Sequence, residues 1–239
     1  MARRDPLIAA AKEPIMIHEV TSATSLKDSI AAFTAGMAKH APAEVIATLG
    51  AELRKLADSG IAARALQVGA KAPDFSLPDA RSTMVTLSSL LARGPAVVTF
   101  YRGGWCPFCD LQLRAYQGAL SQIHDLGAEL VAVSPQMPDY ALSDVEKKQL
   151  TFPVLTDKGN RVAREYGLVF SLSETLRSLQ TSFGNPIPKF NGDDSWELPM
   201  PGTFVLDRAG VVRLAHVDPD YMKRLEPAAI LNALRAVRS

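Results

Sequence analysis

Apolar positions along the chain follow two rhythms. From residue 26 to residue 56 they recur at helical spacing, first as Leu26, Ile30, Phe33 and Met37, then after Pro42 as Val45, Ile46, Leu49, Leu53 and Leu56. Each set makes one apolar stripe along a helix. Ser25 is placed to cap the first helix and Ser59-Gly60 to end the second, and a short helical segment over 61–66 leads to Gly69. Beyond Pro73 the rhythm changes. Residues 74–77 and 85–87 alternate like short strands, with Ser88 placed to cap a short helix. Residues 96–101, 128–134 and 152–156 are compact apolar runs of the kind buried on both faces of a sheet. Helical patterns fall between them, over 107–123 (Leu113, Tyr116, Leu120 and Ile123 in one period), over the polar stretch 138–150 and over 160–166. A hairpin over 202–217 and a final helix over 226–237 close the chain.

Strands alternating with helices and ending in a hairpin predict an α/β fold, a mixed central sheet sandwiched by helices and preceded by a helical extension. The expected division is 1–66 for an N-terminal arm and the extension, and 67–239 for the α/β domain. Residues 1–24 show no sustained period and read as a loosely held arm. The extension's apolar faces are expected to dock on the domain or across a homodimer, without lining the active site.

The chemistry concentrates between Ala96 and Leu113, AVVTFYRGGWCPFCDLQL. A buried strand is broken by Arg102-Gly103-Gly104-Trp105, where adjacent glycines permit a sharp turn. Cys106-Pro107-Phe108-Cys109 then opens a helix, with Pro107 suited to its first position and Cys106 to its N-cap. Two thiols one turn apart at the positive end of a helix can be shifted toward thiolate, the nucleophilic form. As the N-cap, Cys106 is expected to accept N–H groups from Phe108 and Cys109 and to face solvent. Arg102 either swings over the thiol pair or stays solvated at the strand end. Trp105 reads as an apolar wall, and Tyr101 as either a hydrogen-bonding group of the site or core. His124 reads as a surface residue, and His216 has no evident partner.

Composition narrows the field. The chain has 239 residues, 47% of them apolar, a formal net charge of +1 and two cysteines. That supports one full core plus an extension, and gives no basic footprint for nucleic acid or an anionic membrane. Zinc wants about four ligands, and His18, His40, His124 and His216 lack the spacing to supply them beside two cysteines. No metal and no cofactor is expected. The apolar residues 7–11 are cut off by Lys12, Glu13 and Pro14, too short a run for a signal-peptide core, and no transmembrane run is visible. A CxxC pair suits a reducing compartment, and a cytoplasmic location is expected.

The element order with a Trp-Cys-Pro-x-Cys helix start resembles the thioredoxin fold. Ala72-Pro73-Asp74-Phe75, Phe100-Tyr101, residues 157–167 (DKGNRVAREYG) and 202–210 (GTFVLDRAG) resemble the peroxiredoxins of the AhpC/TSA family, among them the peroxiredoxin-like proteins that carry CxxC. The resemblance implies a peroxidatic cysteine at Cys109. The family's threonine one turn earlier is Cys106 here, its proline is Arg102, and the arginine before its Gly-Thr-Phe strand is Pro201. Pro201 matches instead the cis-proline that thioredoxins set opposite CxxC, with Met200 offering its backbone to a substrate or thiol partner. The buried acid of thioredoxins falls on Thr99. Residues 168–199 read as an insertion, a lid over the site with Trp196 as its covering group.

Three readings remain. The first is a hydroperoxide reductase, cycling through a Cys106–Cys109 disulfide with a thioredoxin-type or small-thiol reductant. The second is a protein-disulfide reductase with Cys106 as nucleophile. The third is a non-catalytic binding module on the same fold.

Overall fold

The computed structural model describes residues 25–238, so the arm expected over 1–24 lies outside them. Helices α1 (Leu26–His40) and α2 (Ala43–Asp58) come first, then a 3-10 turn (Ile61–Arg64). The Ser25 hydroxyl accepts the Asp28 N–H at 3.0 Å, as its sequence position suggests. Glu226, from the far end of the chain, accepts the Lys27 N–H at 2.7 Å. A carboxylate at a helix N-terminus complements the helix dipole, and here it pins α1 to the C-terminal segment. The third helical segment of the extension is shorter than expected. Gly60, left-handed at φ 69°, turns the chain into a single 3-10 turn, and the Leu66 N–H is taken by the Tyr166 carbonyl at 3.1 Å.

A small hairpin, β1 (Ser76–Pro78) and β2 (Met84–Thr86), leads into α3 (Leu87–Arg93). Asp74 holds the start of α3 by accepting the Ser88 N–H at 2.9 Å, so the cap is Asp74 rather than Ser88. The central sheet follows, built from β3 (Ala96–Phe100), β4 (Glu129–Ser134), β5 (Val154–Thr156), β8 (Gly202–Leu206) and β9 (Val212–Val217). Its order is β5-β4-β3-β8-β9, with β3, β4 and β5 parallel and β8 and β9 antiparallel to their neighbours. The long crossovers carry α4 (Pro107–Gly118), α5 (Leu120–Asp125), α6 (Pro138–Lys148) and α7 (Arg161–Glu165). This is the thioredoxin-like arrangement, and α10 (Pro227–Arg238) closes it.

Strand β3 is fully buried because it lies in the middle of the sheet. Its side chains alternate between two cores, as the two-residue period of a strand requires. Val97, with Leu130, Ala132 and Val205, packs against α4. Val98 and Phe100, with Val131, Val133 and Phe204, pack on the other face with Tyr166 and Leu168. The helix expected over 107–123 divides in two. At Ala119 (φ −95°, ψ −2°) the N–H turns to the Tyr116 carbonyl, and the preceding Gly118 is a weak helix former.

Residues 168–199 form their own small layer. Strands β6 (Val169–Ser171) and β7 (Glu197–Pro199) pair antiparallel, and between them run α8 (Glu174–Ser182) and α9 (Ile187–Asn191). Leu172, Ile187 and Leu198 make its core, with Trp196 and Trp105 packed against it.

Candidate active site

The turn between β3 and α4 places both thiols. Gly103 has φ 144°, and a Cβ there would fall 2.4 Å from the Trp105 indole nitrogen and 2.9 Å from the Gln136 amide oxygen, so only glycine fits. The next amide, Gly104 N–H, donates to the same Gln136 oxygen at 2.7 Å. Cys106 is the N-cap and Pro107 the first residue of α4, as expected. Two details of that expectation fail. The Cys106 side chain caps no backbone N–H, and both cysteines are wholly buried with no exposed sulfur. The reason is tertiary. Trp105, Phe108 and the stripe of α1 close over the turn, which isolated helix geometry cannot anticipate.

Both cysteines are free thiols. Arg102 bends back over them, its Nη2 donating to Cys106 Sγ at 2.9 Å. Its guanidinium lies 4.0 Å from the Tyr221 ring centroid and 5.2 Å from that of Trp105. The solvated alternative for Arg102 is therefore wrong. Burial works against its charge, but the two sulfurs and Tyr221 more than offset that and hold it protonated. Arg224 reaches Cys109 Sγ with its Nη2 at 3.5 Å, and its other nitrogens are held by the Gln112 amide oxygen and the Tyr221 carbonyl.

The thiols differ. Burial raises Cys109, but the hydrogen bond from Cys106, then Arg224 and Arg102, outweigh it and hold the thiol well below its ordinary value. Burial and the bond to Cys109 together push Cys106 well above its own, against the pull of Arg102. The nearer guanidinium contact goes to Cys106, so distance alone would name the other sulfur. Cys109 is favoured because it sits between both cations while Cys106 supplies the bridging proton. Of the two, Cys109 is the thiol whose surroundings favour the charged form.

Behind the thiols lies a buried hydroxyl network. Thr99 and Thr203 hydroxyls meet at 2.9 Å, the Gln112 amide donates to Tyr116 Oη at 2.9 Å, and Tyr116 donates to the Leu225 carbonyl at 3.1 Å. Thr99, at the position of a thioredoxin's acid, serves here to orient Gln112 and through it Arg224. Burial pushes the Tyr116 phenol up to about 12, so it stays neutral. Tyr101 is buried in the same core as the two cysteines and fills space beside them.

Pro201 departs from expectation. No peptide bond among the described residues is cis, so Met200–Pro201 is trans. Met200 and Pro201 link β7 to β8, and the Met200 N–H is taken by the Leu168 carbonyl at 2.8 Å, leaving no donor for a substrate. Met200 and Pro201 nevertheless line one cavity with Arg102, Trp105, Pro107, Phe108 and Tyr221. The same cavity is lined by α1 and α2, so the extension does border the site, contrary to the expectation from its stripes alone. Trp196 is not on that lining; it sits 5.8 Å from the Arg177 guanidinium, outside the cavity. His124 lies at the surface, 3.9 Å from Glu129, and His216 is half-buried, where burial lowers its pKa.

Arg224, Tyr221, Gln112 and Thr203 were not singled out from the sequence. Arg224 is far along the chain from Cys109, in a segment without periodicity. Its one signal was indirect, since proline replaces the arginine expected before the Gly-Thr-Phe strand and the thiols still need a cation.

Residues 68–215 match the AhpC/TSA family. The chain belongs to that family. The match leaves α1 and α2 outside it, and also Tyr221 and Arg224. Peroxiredoxin Q of wheat (Triticum aestivum), named as chloroplastic, is 31% identical over 142 residues, covering 59% of this chain and 65% of that protein. A putative peroxiredoxin bcp of Haemophilus influenzae is 33% identical over 104 residues, covering 43% of this chain and 66% of that one. The chain thus spans just under two thirds of either relative. Peroxidoxin BcpB of Mycobacterium tuberculosis has a similar fold, with a TM-score of 0.58 at 24% identity over 73% of this chain and 99% of that one. Among the described residues no helix is long and apolar enough to cross a membrane, and no cluster of side chains fits a metal ion.

Proposed function

We propose that this AhpC/TSA protein is a thiol-dependent hydroperoxide reductase in which Cys109 attacks and Cys106 resolves. The observation that carries the reading is the placing of two guanidinium groups on the buried thiol pair, Arg102 on Cys106 at 2.9 Å and Arg224 on Cys109 at 3.5 Å, an arrangement that lowers the Cys109 thiol and raises that of Cys106. The Cys109 sulfur attacks the terminal oxygen of the hydroperoxide; the S–O bond forms, the O–O bond breaks, and the leaving alkoxide takes a proton from Cys106. Arg102 polarises the oxygens and stabilises the departing charge. The Cys106 thiolate then attacks the sulfenic sulfur, closing a Cys106–Cys109 disulfide and expelling hydroxide, which becomes water on protonation. A dithiol of thioredoxin type, or two small thiols, returns the pair to the reduced form. The relatives' names support peroxide as the substrate class. A reducing compartment such as the cytoplasm suits two free thiols in CxxC.

Exchange with protein disulfides fits less well, because a bulky disulfide needs access to a sulfur and Cys106 is 0% exposed. Peroxide treatment followed by dimedone trapping separates the readings. The Cys106→Ser protein is expected to carry the adduct on Cys109. An adduct on Cys106 alone in the Cys109→Ser protein would reverse the roles, and no adduct in either would move the function to disulfide exchange. Unchanged activity without both thiols would mean a binding module.

A further inference from the structure

Helix α2 has an apolar stripe that the rest of the described chain leaves half-covered. Val45, Leu49, Leu53 and Leu56 are only partly buried, and the most buried residue on the helix is Glu52. Helix α8 repeats the pattern, with Gln180 buried and Leu176 and Leu179 half-buried. Both stripes line one cavity of about 320 Å³. Among the described residues the exposed large apolar side chains are Ile46, Val68, Met84 and Phe183, and of these Ile46 is on α2 and Phe183 ends α8. An apolar face left open around a concavity marks a docking surface.

The cavity is tied at its edge. Glu52 accepts from Ser173, the N-cap of α8, at 2.6 Å, and the Gln180 amide oxygen accepts from Asn185 at 2.9 Å. Its inner wall is the outer side of the thiol turn, with Trp105, Pro107, Phe108 and Tyr221, and neither cysteine lines it. An occupant would therefore back that wall without meeting a sulfur. At roughly 30 Å³ for each non-hydrogen atom, the share of one water in the liquid, the cavity takes about ten such atoms, or two to three aliphatic side chains.

A second folded copy has no described run of that kind to insert, since away from this face Val68 and Met84 stand singly. The chain itself has one. Reading back from Ser25, residues 18–24 (HEVTSAT) are mainly polar, and Ile15-Met16-Ile17 is the first apolar run. The reach fits as well. Ser25 caps the near end of α1, while Met37, His40 and Ala41 at its far end line the cavity. The 15 residues of α1 cover about 22 Å. Residues 18–24 span at most about 25 Å, enough to carry the run back along α1 with little slack. So short a tether gives an effective concentration on the order of millimolar, and a weak apolar contact then suffices.

We infer that Ile15, Met16 and Ile17, which lie outside the described residues, dock in the cavity between α2 and α8. The run and α2 both precede the stretch that matches the family, so the extension supplies one wall of the cavity and its occupant together. Nothing in this placement depends on the peroxidase reading.

The test uses the full chain and has two readouts. In the first, Cys106→Ser and Cys109→Ser remove the native thiols, and His18→Cys is paired with Ser182→Cys on the cavity rim or, as a remote control, with Met84→Cys. A short bismaleimide should link the rim pair within one chain roughly tenfold faster than the control pair. Equal rates overturn the inference and leave the cavity to a separate ligand. Links formed mainly between two chains, read as a dimer on a denaturing gel, also overturn it and give the face to a second copy. In the second readout, amide exchange over residues 45–56 and 176–183, measured relative to β3, should rise roughly tenfold in Ile15→Asp/Ile17→Asp. Exchange equal to that of the wild type overturns the docking.

Discussion

Two regions meet at the thiols and are built in opposite ways. On the sheet side, every residue of β3 and β8 is buried, and the polar groups among them close on one another through Thr99, Thr203, Gln112 and Tyr116. On the other side, α2 and α8 carry comparable apolar stripes, yet the most buried residues on them are Glu52 and Gln180. A packed core is specified by mutual contact and holds a reacting group in place. A cavity leaves its lining without partners on one side and must be held open by polar ties at its edge. The first arrangement suits the positioning of a thiolate. The second suits admission of something else.

The largest effect should come from the filled side. Cys109→Ser is expected to abolish peroxide reduction in steady-state assays with the fold intact by circular dichroism, while Cys106→Ser keeps a single turnover and loses the catalytic cycle. Sustained turnover by Cys109→Ser would break the asymmetry of the pair. Arg102→Met should slow the reaction of Cys109 with peroxide on the order of 10²-fold, the scale seen when one preorganised donor to a developing oxyanion is removed. Stopped-flow measurement of that step tests it, and a change under threefold would remove Arg102 from the chemistry.

The pH dependence sharpens the same side. Because Cys109 is held below an ordinary thiol, its alkylation by iodoacetamide should stay fast as pH falls below about 8.5 and decline only where the thiolate finally protonates. Cys106, raised instead, should react only at pH above that value. Site-resolved mass spectrometry reads both, and a midpoint for Cys109 at or above about 8.5 would put the charge elsewhere. The smallest effect belongs to the open side. Glu52→Ala removes the carboxylate that Ser173 donates to, and with Ser173 exposed to water it should cost about 0.5–1.5 kcal/mol in denaturant unfolding. It should also raise amide exchange in α8 more than in β3. Equal exchange in both would mean that α8 is held by something other than that tie.

What each region needed explains how far the sequence could be read. Strands 96–100, 129–134, 154–156 and 202–206 declare themselves by short apolar runs, because a strand buried on both faces has no polar option along its length. The CxxC turn declares itself equally, since Gly103, Cys106 and Pro107 each answer a local backbone demand at a strand end or helix start. The amphipathic stripes of α1 and α2 were legible too, but a stripe records only that a face is apolar. It does not say whether that face meets another helix or a cavity.

The sequence by itself therefore determined the sheet, the helix start and the position of the cysteine pair on it, all of which depend on residues close together in the chain. The tertiary structure alone decided which cations surround the sulfurs, since Arg224 and Tyr221 come from beyond β9 and reach the site only after the chain has closed. It also decided that Cys106 is buried, that the Met200–Pro201 link between β7 and β8 is trans, and that the extension borders the site. Electrostatic and packing partners are set by distance in space, and distance along the chain carries no record of them.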